Sequence, residues 1–294
     1  MRVTNSLISA TLAANVETSL NSLNAVSTEI STGKKLNNPS DDPAGAAYSM
    51  SLRASLVDNS QYQANANQAK TFLNASDSTL SDVADAIRTA RQIASAGANS
   101  TQTPDSLNAL SLQIDGIISS VIQSANADVH GKYLFSGSQT KTAPYIDDAA
   151  AHSTGPAYQG NTGSVTATVG KSNNLTISTP GSTIFDGLFS TLKDLKANLA
   201  SGDINAMSGD LGKLDTNLST VSSVRANIGA QVNTMTSVTQ NLSRAESSYK
   251  DAIANVEEVD LAQAYVQLQS AQNVYQASLV AVAKGFQHTL ADYL

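Results

Sequence analysis

Seven apolar residues recur at every seventh position in the C-terminal half of this chain: Leu214, Val221, Ile228, Met235, Leu242, Tyr249 and Val256. Leu211, Leu218, Val232 and Ile253 fill much of the companion position between them. A repeat this regular predicts one helix of about 50 residues carrying a narrow apolar stripe. A helix cannot bury its own stripe, so partner helices are required. Shorter stripes with the same period supply candidates. Val16, Leu23 and Ile30, with Leu12 and Leu20 beside them, predict a first helix over about Asn5–Thr32. Leu107, Ile114 and Val121 predict another, from Thr103-Pro104 to near Val129. Leu261, Leu268, Tyr275 and Val282, with Leu279 and Phe286, carry the pattern to the C-terminus.

Punctuation residues bound these helices. Gly33 suits the left-handed position just past a helix end, and Lys34-Lys35 suit that end's negative pole. A polar loop, Asn37-Asn38-Pro39-Ser40-Asp41, follows. Asp42-Pro43 then reads as N-cap and first helical residue. The helix it opens carries Leu52, Leu56, Leu73, Leu80, Val83 and Ile87 and is expected to end near Gly97. Its stretch Asn59–Ala69 lacks large aliphatic groups and reads as helix with a weak seam. Residues 131–187 change texture, with short alternating runs at Val165–Val169 and Leu175–Ile177 around a turn at Gly170–Asn174. Helix is expected again from near Leu188, with a pause at Gly202 and a restart by Ile204.

The predicted fold class is therefore mainly α. The N- and C-terminal segments form a long antiparallel helical bundle or coiled coil, with a small β-rich domain inserted between them. Three parts are expected: terminal helices in 1–42 and 257–294, a helical rod in 43–130 and 188–256, and a β-rich outer part in 131–187.

Composition narrows the function classes. Charged residues make up 14% and aromatics 5%, with no Trp. That is sparse for a compact enzyme and suits seams of small and neutral polar residues. The net charge is −7 and the basic residues are scattered, which argues against nucleic acid and anionic membrane surfaces as partners. With no cysteine, the chain has no disulfide, thiolate metal site or cysteine nucleophile. The N-terminus lacks the apolar core of a signal peptide and no stretch has membrane-spanning length, so an exported form needs a route without a cleaved signal. His130, His152 and His288 show no ligand spacing. Gly170-Lys171-Ser172 lacks the phosphate loop's first glycine, because Val165 stands there. Asp147-Asp148 and Glu257-Glu258 read as solvated charge. No catalytic, cofactor or metal site is expected.

The stretch Glu29–Gly45, which contains Gly33, Asn37, Pro39, Ser40, Asp41, Asp42 and Pro43, resembles the N-terminal signature shared by bacterial flagellins and the hook-associated protein 3 family. Gly131-Lys132-Tyr133-Leu134-Phe135-Ser136-Gly137, Tyr158-Gln159-Gly160-Asn161, Thr179-Pro180-Gly181 and the ending Thr289–Leu294 resemble the hook-associated family more than flagellins. The resemblance implies a structural subunit of the bacterial flagellum at the hook–filament junction. Its partners would be copies of itself in a helical lattice, hook-associated protein 1 and flagellin. It further implies unfolded export through the flagellar type III apparatus to an extracellular site, with a cytoplasmic chaperone on the C-terminal helix. The terminal segments would be disordered in the monomer and become coaxial helices on assembly. Alternatives are a short flagellin and a type III-exported coiled-coil interaction protein.

On this reading the Leu214–Val256 stripe packs inside the chain, on the Leu73–Ile87 and Leu107–Val121 faces. Leu12, Val16, Leu20, Leu23, Ile30, Leu261, Leu268, Tyr275, Leu279, Val282 and Phe286 are assigned to contacts between subunits. Ordinary packing within one chain is the alternative for that second set. Asp41 and Asp42 cap locally, and the resemblance adds a subunit-contact role for their loop.

Overall fold

Residues 2–99, 101–147 and 155–291 are described in the computed structural model of the chain. Six helices run through them: α1 (Arg2–Thr32), α2 (Pro43–Gly97), α3 (Pro104–Ala125), α4 (Ser182–Ser201), α5 (Ile204–Glu257) and α6 (Leu261–Ala291). Two antiparallel hairpins separate α3 from α4: β1 (Asp128–Val129) with β2 (Lys132–Tyr133), and β3 (Thr166–Gly170) with β4 (Asn173–Thr176). The chain is mainly α with a small β insertion, the class that the heptad stripes predict. Contacts divide it into two units, Met1–Asp58 with Ala245–Leu294, and Asn59–Arg244.

The Asn59–Arg244 unit holds the core. Leu214, Val221, Ile228 and Met235 of α5 are buried in one cluster with Leu73, Leu80 and Ile87 of α2 and Ile114 and Val121 of α3. At roughly 1.5–3 kcal/mol for each large aliphatic side chain fully buried, this cluster dominates the unit's stability. Polar links fix the direction of α5 against α2. Asn59 Nδ2 donates to the Leu242 carbonyl at 2.9 Å, Arg225 Nε to Asp77 Oδ1 at 2.9 Å, and Arg91 Nε pairs with Asp215 at 2.8 Å. Partner numbers on α5 fall as those on α2 rise, so the helices are antiparallel. The weak seam is helical, as expected. Ala66 and Ala69 are fully buried there, so small side chains close what large ones leave open.

Two helix ends differ from their sequence expectation. Helix α3 stops at Ala125, four residues before Val129. Asn126 ends it because its side chain clamps the backbone of Tyr145, donating to the carbonyl at 2.7 Å and accepting from the N–H at 2.9 Å. Asp128 and Val129 then pair with Tyr133 and Lys132 around His130 and Gly131, both at positive φ (53° and 74°). That backbone is the mirror-type turn favoured in two-residue hairpins. Helix α4 starts at Ser182, six residues before Leu188. Pro180-Gly181 ends the loop sooner than its composition suggests, and the early turns carry Ile184 and Phe185 into the core. The pause at Gly202 (φ 76°) and restart at Ile204 stand as predicted.

In the unit formed by Met1–Asp58 and Ala245–Leu294, α1 packs along α6. Three residues, Glu258–Asp260, interrupt the heptads between α5 and α6. The interruption is legible in the spacing: Val256 to Leu261 is five residues, so the last stripe is out of phase with the long one. Asp260 caps α6, its Oδ1 accepting from the N–H groups of Ala262 and Gln263 at 2.9 and 3.2 Å.

Candidate assembly surfaces

The loop between α1 and α2 is built on short-range hydrogen bonds. Gly33 ends α1 at φ 71°, where a side chain would be strained. Asp41 Oδ2 accepts from the N–H groups of Asn37 and Asn38 at 3.3 and 2.7 Å, folding the loop on itself. Asn37 Nδ2 donates to the Lys34 carbonyl at 2.8 Å. Asp42 caps α2 as predicted, its Oδ1 accepting from Ala44 and Gly45 at 3.1 and 3.0 Å. Gly45 leaves room for that cap, since a Cβ there would collide with the Asp42 carboxylate. Pro39, Ser40, Asp41, Asp42 and Pro43 are exposed, so this tip is available to a neighbour.

A buried carboxylate anchors the loop's base. Glu257, at the last position of α5, is 7% exposed. It accepts from Arg53 Nε at 3.0 Å and Arg53 Nη2 at 2.7–2.8 Å, from Lys34 Nζ at 2.9 Å, and from the Ser49 hydroxyl. Its carbonyl accepts from Lys35 N–H at 2.8 Å, and Val259 N–H donates to the Gly33 carbonyl at 3.1 Å. The Arg53 hydrogen bonds, with those of Ser49 and Lys34, hold its carboxyl well below the usual value, at about 2, against the opposing effect of burial. Glu257 is therefore no solvated charge. An acid at a helix C-terminus is unfavourable by itself, and here three donors from distant sequence compensate it. That mismatch was the available signal. The lysine pair also differs from expectation: Lys34 serves Glu257 and Lys35 Nζ donates to the Asn255 carbonyl at 3.1 Å, so both sit at the end of α5.

The terminal helix pair separates the assigned stripe residues. Leu12, Val16, Leu23 and Ile30 are half-buried, together with Ser19 and Val26, at alternating spacings of three and four. Leu268, Tyr275 and Val282 repeat this on α6, together with Ala271, Ser278 and the buried Ala264. The hydroxyls of Ser19 and Ser278 lie 3.1 Å apart, marking the seam between the helices. Leu20, Leu261 and Leu279 lie outside it, at 38%, 49% and 44% exposure, beside exposed Tyr265, Val266, Val274 and Val280. The side chains of Phe286 and His288 lie outside the described residues, as do Asp148 and His152. The seam is thin. In this unit the buried described residues are Ser49, Leu52, Glu257 and Ala264.

The insert gathers three of the motifs singled out above. The Phe135 carbonyl accepts from Gly181 N–H at 2.7 Å and from the Tyr158 hydroxyl at 2.8 Å. The Ser136 carbonyl accepts from Asn161 N–H at 3.2 Å. Residues 131–137, 158–161 and 179–181 thus form one knot. Tyr145, buried beside it, packs against Phe189 with ring centroids 5.0 Å apart and donates its hydroxyl to Asp186 at 2.7 Å. Burial, then the Asp186 carboxylate, pushes the Tyr145 phenol far above its ordinary range. Among the described residues no group of three or more His, Cys, Asp or Glu could hold a metal ion, and no helix is long and apolar enough to cross a membrane.

Residues 3–140 match the bacterial flagellin N-terminal helical region, and residues 211–294 match the bacterial flagellin C-terminal helical region. The chain belongs to the flagellin family. Within it, the chain is 33% identical over 163 residues to flagellar hook-associated protein 3 of Salmonella typhimurium strain LT2, covering 55% of this chain and half of that protein's length. It is 23% identical over 256 residues to the flagellar filament 30.7 kDa core protein of Treponema maltophilum, covering 87% of this chain and 86% of that protein. The crystal structure of Bacillus cereus FlgL superposes with a TM-score of 0.60 at 24% identity, covering 69% of this chain and 99% of that one, which places the fold alone. The two matched regions take in α1, α2, α3, most of α5, and α6.

Proposed function

We propose that this flagellin-family chain is the subunit that joins the flagellar hook to its filament, seated between hook-associated protein 1 and flagellin. The observation that carries the reading is the 33% identity with hook-associated protein 3. The knot of residues 131–137, 158–161 and 179–181 supports it, because the motifs that resemble the hook-associated family hold the insert together. The role is structural and non-catalytic. The subunit leaves the cell unfolded through the flagellar type III apparatus, with a cytoplasmic chaperone held on α6 beforehand. Its terminal helices order on joining a lattice of its own copies, where exposed Leu20, Leu261 and Leu279 meet neighbouring subunits.

Deleting the gene and imaging the cells tests this. Cells without filaments, releasing flagellin monomers into the medium, are expected. Persisting filaments, or purified chain that polymerises alone into long filaments, would overturn the junction role. The latter outcome fits a short flagellin, the reading favoured by the near full-length match to the Treponema filament core protein.

A further inference from the structure

The outer edge of β3 opens into a groove of about 410 Å³ whose walls include Asn65, Gln68 and Phe72 of α2, Lys132 of β2, and Thr140. The hairpin's bonding pattern shows which backbone groups face that groove. Ile177 N–H donates to the Val165 carbonyl at 2.9 Å, so Val165 is turned toward β4. Ala167, two residues on and opposite Leu175, is turned the same way. Thr166 and Thr168 alternate with them and direct their N–H and C=O groups outward. Asn65 demonstrates the direction, because its Nδ2 reaches the outward Thr168 carbonyl at 2.8 Å. That side chain takes one acceptor of a strand-like row and leaves Thr166 N–H, Thr166 C=O and Thr168 N–H facing the groove.

We propose that this groove accepts an extended, acid-bearing peptide segment of a partner protein, added as a strand alongside β3. An unpaired ladder edge is a template for strand addition. The volume lies in the range of sites that hold small ligands or short segments. Charge selects the occupant: Lys132 lines the groove and is exposed, and no carboxylate among the described residues pairs with it. Ala69, Phe72 and Ile177 line it beside these polar groups and give alternate side chains of the incoming strand an apolar contact.

The test is an NMR titration of the full-length chain with two sets of acetylated, amidated heptapeptides of alternating Thr and Val. One set carries a single Asp walked through the seven positions, and the other carries Asn in its place. At least one Asp peptide is expected to shift the Thr166, Thr168 and Lys132 amides saturably. Its Asn counterpart is expected to bind about fivefold more weakly or worse. Thr166→Pro removes an outward donor and should abolish binding, with the signals of buried Ile118 and Leu192 reporting whether the unit stays folded. Lys132→Glu, on the exposed surface, should abolish the Asp preference without that risk. No saturable shift with any Asp peptide, or an Asp preference unchanged in Lys132→Glu, would overturn the proposal.

Discussion

Glu257 shows how far one residue's role can lie from its sequence neighbourhood. Its partners, Ser49 and Arg53, are 208 and 204 positions away, and Lys34 is 223. From the sequence, two adjacent glutamates at a helix end look solvated, and the one local sign against that is the acid's unfavourable place at the helix's negative pole. Replacing Glu257 by Gln should lower the stability of its unit by about 1–2 kcal/mol. This is less than a fully buried pair would lose, since Arg53 and Lys34 are themselves about half exposed. The pH dependence has a definite sign. The folded carboxyl is depressed to about 2 from a usual 4.5, so its contribution is complete above about 4.5 and disappears as pH falls toward 2. Thermal melts of both proteins should therefore differ at neutral pH and converge across that window. A difference that persists at pH 2 would contradict the clamp. Gly33→Ala tests the loop independently. A side chain at φ 71° costs about 1–2 kcal/mol, while Asn should be tolerated better, as denaturant midpoints of the two variants would show.

At the scale of elements, the helices were legible because their stripes recur at a period no strand can use. Gly202, Asp42 and Pro43 also do locally what their chemistry predicts. What remained hidden was set by contacts distant in sequence. Asn126 ends α3 on the backbone of Tyr145, and α4 begins early because Phe185 belongs to the aromatic cluster around Tyr145. Neither partner is visible in a local window. The long stripe itself divides in burial: Ile228 is 3% exposed, whereas Leu242 is half-buried at the polar Asn59 seam. Ile228→Ala should cost about 2–4 kcal/mol through lost burial and a residual cavity, and Leu242→Ala about half as much or less. Urea midpoints for the two variants check the ranking, and equal losses would show that the seam is packed alike along its length.

For the whole molecule, burial is unevenly shared, and this bears on how subunits assemble. The large cluster of buried aliphatic and aromatic residues lies within Asn59–Arg244, and among the described residues of the other unit Leu52, still 9% exposed, is the one large apolar side chain that is buried. A helix pair with so thin a seam gains little against its ordering entropy. Amide exchange on the purified monomer should therefore find residues 1–35 and 260–294 poorly protected and α3 and α4 strongly protected. Strong protection of both termini in a monodisperse monomer would contradict ordering on assembly. The same geometry decides which substitution tests the subunit contacts. Leu268→Asp is expected to block incorporation, but Leu268 also lies on the seam with α1, so the defect would not identify the surface at fault. Leu279 is 44% exposed, so Leu279→Asp leaves that seam intact and places a charge where a neighbouring subunit would bury it. Cells carrying Leu279→Asp should export the protein, fail to incorporate it, and release flagellin. Normal incorporation of this variant would remove that face of α6 from the interface.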